Sequence, residues 1–201
     1  MIYPDPLQQL ISHYKKLPGI GEKSAERMAL STLSFSDEDV ANFSQALINA
    51  KTQLVNCKVC GQLSDKETCD ICSDKNRDHN LICVIEDYKS VFAFEKAGNY
   101  HGTYHVLGGL ISPMDNITPD DINIASLVKR VKELDHPELI LALKSSIEGE
   151  TTTLYIKKIF EKSEVTISRL SYGIPIGAEI DYLDLMTLDR ALEDRKRISE
   201  E

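Results

Sequence analysis

Several features are missing from this 201-residue sequence, and each absence narrows the classes of protein to which it can belong. No apolar run approaches the ~20 residues that span a bilayer, and no export signal precedes the cysteines, so we expect no membrane association. There is no basic tail, and 32 acidic residues outnumber 23 lysines and arginines to give a net charge of −9. Any contact with nucleic acid is therefore expected to be local and backbone-mediated, or helped by oligomerisation or partners. The five histidines show no metal-ligand spacing, and no serine or cysteine lies in a nucleophile-elbow pattern.

Four of the five cysteines form two C-x-x-C pairs, Cys57 with Cys60 and Cys69 with Cys72, and eight residues separate the pairs. This spacing predicts four thiolates around one tetrahedral Zn²⁺, in a compact pair of knuckles with no helix between them. Two disulfides are the alternative, but they would leave Cys83 over in an apolar run, which favours zinc in a reducing cytosol. Four cysteines leave no open place for water, so the ion is expected to stabilise the fold and to catalyse nothing.

The N-terminal region has the pattern of a helix, a glycine hairpin and a second helix. Apolar residues at helical spacing precede the sequence Leu-Pro-Gly-Ile-Gly at 17–21, and the second helix is predicted from about residue 22. Gly19 and Gly21 let the backbone approach a phosphate, which then meets free N–H groups and the positive end of the helix dipole. Lys23 and Arg27 share one helix face, so we predict sequence-independent DNA binding. The alternative is a structural turn whose cations pair with two neighbouring glutamates.

A third helix is predicted after Ser36, which has capping-box spacing to Asp39, and it leads into the cysteine pairs. Residues 76–80 are polar and are predicted to form a loop that ends a domain, with His79 as a loop histidine. The apolar runs at 81–85, 104–107, 139–143 and 165–170 are predicted strands. Helices are predicted between them, one burying Val91, Phe92 and Phe94 and another opening at Thr118. This alternation predicts an α/β domain with a mainly parallel sheet. For the whole chain we therefore predict a multidomain fold, in which an α-helical region is followed by an α/β domain.

Three carboxylates follow predicted strands. Glu86 comes directly after the first strand, and Glu148 and Glu150 lie just beyond the third. Because the carboxyl ends of parallel strands meet at one edge of a sheet, the three side chains can converge there and bind Mg²⁺. Alternatively, Glu148 and Glu150 only favour the N-terminus of the next helix through its dipole. The residues by themselves leave both interpretations open.

An ordered set of motifs runs through nearly the whole chain. It comprises residues 17–27, the four paired cysteines, and residues 82–86, 104–109, 111–113, 148–150 and 173–177. In this order the set resembles the RecR family of bacterial recombination mediators.

The resemblance implies four segments. They are a helix-hairpin-helix DNA-binding domain at 1–54, a four-cysteine zinc finger at 55–78, a Toprim domain at 79–172 and a C-terminal segment at 173–201 with a Walker-B-like stretch at 180–184. It also implies a cytoplasmic, nucleoid-associated mediator of DNA repair that is not an enzyme. Such a protein works with RecO, and in some contexts RecF, to help RecA replace single-strand-binding protein on gapped DNA. The subunits are expected to close into a ring, with a tetramer favoured, whose gathered hairpins create a local positive field.

The chain departs from the family pattern at three places, two single residues and one adjacent pair. Glu22 stands where many members have proline, which adds a negative charge beside the predicted phosphate site. Ser90 stands where an aspartate is common, and Lys144-Ser145 replaces an Asn-Pro pair. The last two changes weaken the prediction of Mg²⁺ at the Toprim edge, although the three glutamates remain.

Two functions from different classes therefore stay open. The first is the DNA-binding mediator, and the second is a Mg²⁺-dependent Toprim phosphotransferase such as a small primase or nuclease. An enzyme of this kind normally needs a further domain for a nucleophile or a nucleotide, and little chain is left for one. The mediator is the favoured prediction.

Overall fold

The computed structural model describes residues 3–171 and 173–195. The described range leaves out Met1, Ile2, Tyr172 and residues 196–201. The predicted segments 1–54, 79–172 and 173–201 each include some of these residues, and those parts of the predictions lie outside the described range. The chain divides into two compact units, Met1–Leu54 and Val55–Glu201. The first unit contains the helical hairpin, and the second contains the cysteine pairs, the sheet and the C-terminal segment.

The first unit is built from three helices, α1 at Asp5–Tyr14, α2 at Glu22–Thr32 and α3 at Asp37–Gln53. Buried Ile11 of α1 packs in one cluster with Ala25 and Ala29 of α2, whose small side chains let the two helices approach closely. The Ser36 hydroxyl accepts a hydrogen bond from the Asp39 N–H at 3.1 Å and caps α3. The predicted helix, hairpin, helix and third capped helix are all present.

The second unit begins with a small cysteine-rich module and continues as an α/β domain. The module contains the antiparallel strands β1 and β2 and the short helix α4, at Val55–Asn56, Leu63–Ser64 and Asp70–Ser73. The domain contains β3 at Asp78–Ile85, α5 at Tyr88–Ala97, β4 at Gly102–Val106, α6 at Ile124–Val131, β5 at Glu138–Ala142, α7 at Ile147–Phe160 and β6 at Thr166–Arg169. Helix α8 follows at Leu185–Glu193.

Strands β3 to β6 form one parallel sheet in the order β4-β3-β5-β6. Helices cover both faces, which explains why residues 81–85 of β3 are an uninterrupted apolar run. Ile82 and Val84 lie in the cluster that includes residues of α6 and α7. Cys83 and Ile85 face the other way, in the cluster with Val91 of α5. Burial on both faces is typical of a parallel sheet, and the prediction of the sheet is confirmed.

Three local predictions are wrong. The capping box at Thr118 closes only a 3₁₀ turn at Pro119–Asp121, because the chain then extends to bury Ile122 before α6 begins. Phe92 is 53% exposed, since a helix cannot turn adjacent residues toward the same sheet, and Val91 occupies the buried position. Residues 78–80, including His79, lie in β3 and not in a loop, because Asp78 pairs with Gly102 at the start of β4.

The stretch at 180–184 forms a 3₁₀ turn at Ile180–Tyr182, and Asp184 caps α8 by accepting a hydrogen bond from the Thr187 N–H at 2.9 Å. The Walker-B-like residues are therefore not part of a strand in this structure. Within residues 3–171 and 173–195, no helix combines the length and the apolar character that crossing a membrane requires.

Candidate nucleic-acid interface and metal centre

The glycine hairpin joins α1 to α2 and is closed by a backbone hydrogen bond. The Ile20 N–H donates to the Leu17 carbonyl at 3.2 Å. Gly19 has φ +79°, which side chains rarely tolerate, so the turn itself requires this glycine. Gly21 is extended, at φ −85° and ψ 175°, and forms the N-cap of α2.

The fold does not explain why residue 21 is a glycine. Any residue can adopt its backbone conformation, and a Cβ added there would meet no atom within 4 Å. In the part of the chain that the structure describes, no side chain caps α2, so its first N–H groups have no side-chain acceptor there. Open space beside uncapped N–H groups is the arrangement that admits an oxyanion close to the backbone.

Cationic side chains flank this helix end. Lys23 and Arg27 are both exposed, and neither has an ion pair among the described residues. Glu22, the extra acid beside the hairpin, pairs with Lys15 at the end of α1. The described contacts therefore do not show the structural alternative, in which Lys23 and Arg27 pair with the neighbouring glutamates. Lys15 was not singled out from the sequence, because only the hairpin brings it next to Glu22.

The two cysteine pairs meet at one point. One sulfur atom from each of Cys57, Cys60, Cys69 and Cys72 lies within 4.8 Å of all the others, and the first three residues are buried. The Sγ atoms of Cys60 and Cys69 are 3.6 Å apart. Four sulfurs at about 2.3 Å from a tetrahedral Zn²⁺ would be about 3.8 Å from one another, so the donor set and its spacing fit this ion. The module can therefore hold a metal ion, and residues 61–68 between the pairs contain no helix.

The five cysteines are free thiols in this structure, so the alternative of two disulfides is not observed. A hydrogen bond from Cys60 lowers the pKa of the Cys69 thiol to about 2, and the same contact raises the pKa of Cys60. Without a cation, four neighbouring sulfurs cannot all ionise, because each thiolate repels the next. A bound cation removes that repulsion and holds all four deprotonated.

The cysteine module also covers the outer edge of the sheet. Strand β4 is an edge strand, and its Val106 N–H donates to the Cys60 carbonyl at 2.7 Å. Next along the strand, Arg130 of α6 donates to the Tyr104 carbonyl at 2.6 Å. Ile71, from the second cysteine pair, packs against the core cluster that contains Tyr104. The four-cysteine centre and the sheet are thus joined by hydrogen bonding and by packing.

The three predicted carboxylates lie near the carboxyl edge of the sheet but do not form a ligand cluster like that of the cysteines. Glu86 follows β3, while Glu148 and Glu150 lie in the first turn of α7. Among the described residues, the four cysteines are the only group of three or more candidate ligands whose donor atoms converge. The Ser146 hydroxyl, the backbone N–H of Glu148 itself and, more weakly, Lys144 lower the pKa of the Glu148 carboxyl.

Glu150 has a protein cation beside it. Its carboxylate lies 3.6 Å from Arg169 at the end of β6, and Arg169 also lies 3.5 Å from Asp194 after α8. Gly149, between the two glutamates, is required by packing, since a Cβ there would be 1.8 Å from the Lys144 carbonyl oxygen. No sequence pattern marks Arg169 as a site residue, because its position beside α7 depends on how β6 is placed in the sheet.

Comparisons with known proteins agree with this architecture. A Toprim domain model matches residues 80–171, the helix-hairpin-helix model of RecR matches 7–51, and the RecR C-terminal model matches 173–196. Together with the cysteine centre, these matches define a helix-hairpin-helix and Toprim protein of DNA recombination. The chain is 46% identical over 198 residues to Recombination protein RecR of Streptococcus uberis. The aligned region covers 98% of this chain and 100% of that relative. This chain belongs to the RecR family.

Proposed function

We propose that this chain is a non-enzymatic recombination mediator that binds DNA through the hairpin between α1 and α2. The observation that carries the proposal is the N-terminus of α2, which no described side chain caps. Gly21 leaves open space there, and Lys23 and Arg27 are exposed with no ion pair among the described residues. A phosphate there would meet backbone N–H groups, the helix dipole and two cations. Such contacts do not read base sequence.

The test is DNA binding of Lys23→Ala and Arg27→Ala, singly and together, measured by fluorescence anisotropy across a salt series. Each lost phosphate contact should weaken binding to every sequence alike and flatten the slope of log affinity against log salt by about one unit per engaged hairpin. If several subunits engage one DNA, the double variant should nearly abolish binding. The matched control is Lys51→Ala, which removes an exposed lysine from α3 of the same unit. A double variant that binds like the parent at every salt concentration would leave the hairpin with a structural role only.

A second variant separates backbone approach from charge. Gly21→Ala places a methyl group in open space, so it should preserve the fold and oligomeric state while weakening DNA binding. Its cost in helix stability is about 1 kcal/mol, which is typical of replacing a favoured N-cap residue by alanine. Unchanged affinity in Gly21→Ala would argue against close approach of a phosphate to this backbone.

For the cysteine centre, we propose one structural Zn²⁺ per chain. Metal analysis of protein purified without chelator should find one zinc, and finding none would contradict the assignment. Cys60→Ser should lower solubility or stability, because metal binding in such modules contributes directly to folding.

At the Toprim edge, we propose that Glu86, Glu148 and Glu150 support assembly or contacts with DNA and partners without catalysing a reaction. The ion pair between Glu150 and Arg169 supports this role, because a protein cation stands beside one of the carboxylates that Mg²⁺ would need. The alternative is a Mg²⁺-dependent primase or nuclease. Incubation with labelled DNA, nucleotides and Mg²⁺ distinguishes the two, and turnover that disappears in Glu148→Gln would overturn the non-enzymatic proposal.

The finer assignments are also proposals. We propose the domain bounds 1–54, 55–78, 79–172 and 173–201. We also propose RecO and RecF as partners and a functional link to RecA and single-strand-binding protein. The proposed location is cytoplasmic and nucleoid-associated, and the proposed assembly is a ring, with a tetramer favoured. Exposed apolar side chains on α3, namely Val40, Phe43, Leu47 and Ile48, support association between copies. Sizing the protein alone, with DNA and with RecO tests assembly, and a monomer under all three conditions would exclude the ring.

A further inference from the structure

Glu22 occupies an unfavourable position for a DNA-binding hairpin. It is the first residue of α2, directly after the uncapped Gly21. A carboxylate in the first turn is attracted to the same N–H groups and dipole that a phosphate would use. A free Glu22 side chain would therefore compete with the phosphate for this position and also repel it.

The structure shows where the Glu22 carboxylate goes instead. It pairs with the ammonium group of Lys15, the C-cap residue of α1, on the other side of the hairpin. Lys15 is itself well placed for a cation, since it lies at the negative end of the α1 dipole. Of the other cations near the hairpin, Lys16, Lys23 and Arg27 have no ion pair among the described residues. Lys15 is thus the cation engaged with Glu22, and the others are left for a ligand.

We propose that Lys15 is a positioning residue for DNA binding, which neutralises Glu22 and holds its carboxylate away from the first turn of α2. Lys15 acts on the DNA through Glu22 and not by contacting a phosphate. This inference rests on the proposed DNA-binding function. An unpaired charge several ångströms from a phosphate in water changes affinity about threefold per engaged hairpin, and two or more hairpins multiply the effect.

The pair can be tested without unfolding the protein. The Lys15 and Glu22 side chains are 44% and 58% exposed, and ion pairs this exposed contribute little to stability. Variants of either residue should therefore keep the thermal midpoint and the oligomeric state. Any change in DNA affinity then reports on the hairpin and not on folding.

The experiment is a mutant cycle of Lys15→Met, Glu22→Gln and the double variant, with DNA affinity measured by anisotropy at low salt. Lys15→Met should bind at least about threefold more weakly, and adding Glu22→Gln should restore or exceed the parent affinity. Lys15→Arg, which keeps the charge, should bind like the parent. The effect of Lys15→Met should also shrink as salt screens the interaction.

The outcomes separate this inference from the function on which it rests. A double variant as weak as Lys15→Met would show that Lys15 contacts DNA directly, which overturns the positioning role. Parent-like affinity of Lys15→Met would overturn it as well. The Lys23→Ala, Arg27→Ala variant is the reference in the same assay: if it also binds like the parent, the hairpin proposal itself has failed.

Discussion

Removing the metal ion that we propose for the four-cysteine centre should release the outer edge of β4, and two neighbouring backbone amides report on this event. The Val106 N–H donates out of the sheet to the Cys60 carbonyl at 2.7 Å. The next amide, Leu107 N–H, donates into the sheet to the Ile85 carbonyl at 2.9 Å. Chelation should therefore expose the first amide and leave the second protected.

The size of the effect follows from the contacts that the module makes. The Val106 hydrogen bond contributes about 1 kcal/mol, and half-buried Ile71 contributes about 1.5 kcal/mol by packing against the core cluster that contains Tyr104. Losing both lowers the free energy of local opening by about 2.5 kcal/mol. Since each 1.4 kcal/mol is a factor of ten, Val106 should exchange its amide hydrogen roughly 10²-fold faster.

The assay is hydrogen exchange read residue by residue, on protein with bound metal and after treatment with a chelator. The Leu107 amide is the internal control, and Cys60→Ser should reproduce the chelated pattern without chelator. Equal protection of Val106 with and without metal would refute the argument that the metal holds the module against the sheet edge. Equal acceleration of Val106 and Leu107 would instead indicate loss of the whole sheet.

Two further predictions concern the sheet domain. Burial lowers the pKa of His105 from its ordinary value of 6.5 to about 4, helped by Arg130, while its Nε2 donates to the Asn123 carbonyl at 2.9 Å. Because the unfolded chain takes up a proton near pH 6.5 and the native state does not, the free energy of unfolding should fall by about 3 kcal/mol between pH 6.5 and 4. Denaturant titrations of His105→Gln should lack this part of the pH dependence, and an identical pH profile would contradict it. Gly149→Ala should cost more than about 2 kcal/mol, because its Cβ would lie 1.8 Å from the Lys144 carbonyl oxygen. The thermal midpoint measures this loss, and Gly173→Ala, which meets no atom within 4 Å, is the control that should not shift.

Local patterns determined much of this protein, because their physical causes lie within a few residues of the chain. The spacing of the four cysteines predicts their convergence, since two short C-x-x-C loops bring their sulfurs to one point. The hairpin follows from two glycines between amphipathic helices, and Ser36 caps α3 as its spacing to Asp39 predicts. The uninterrupted apolar run of β3 predicts a strand buried on both faces, which the parallel sheet confirms.

Only the tertiary structure decided which charges neutralise which. Lys15 and Glu22 meet because the hairpin folds the end of α1 back beside α2, and Arg169 reaches Glu150 because β6 pairs with β5 beside α7. The use of the cysteine module to cover β4 also depends on long-range placement, since 45 residues of chain lie between Cys60 and Val106. Contacts of this kind depend on how distant elements are placed, and local propensity and spacing carry no information about that.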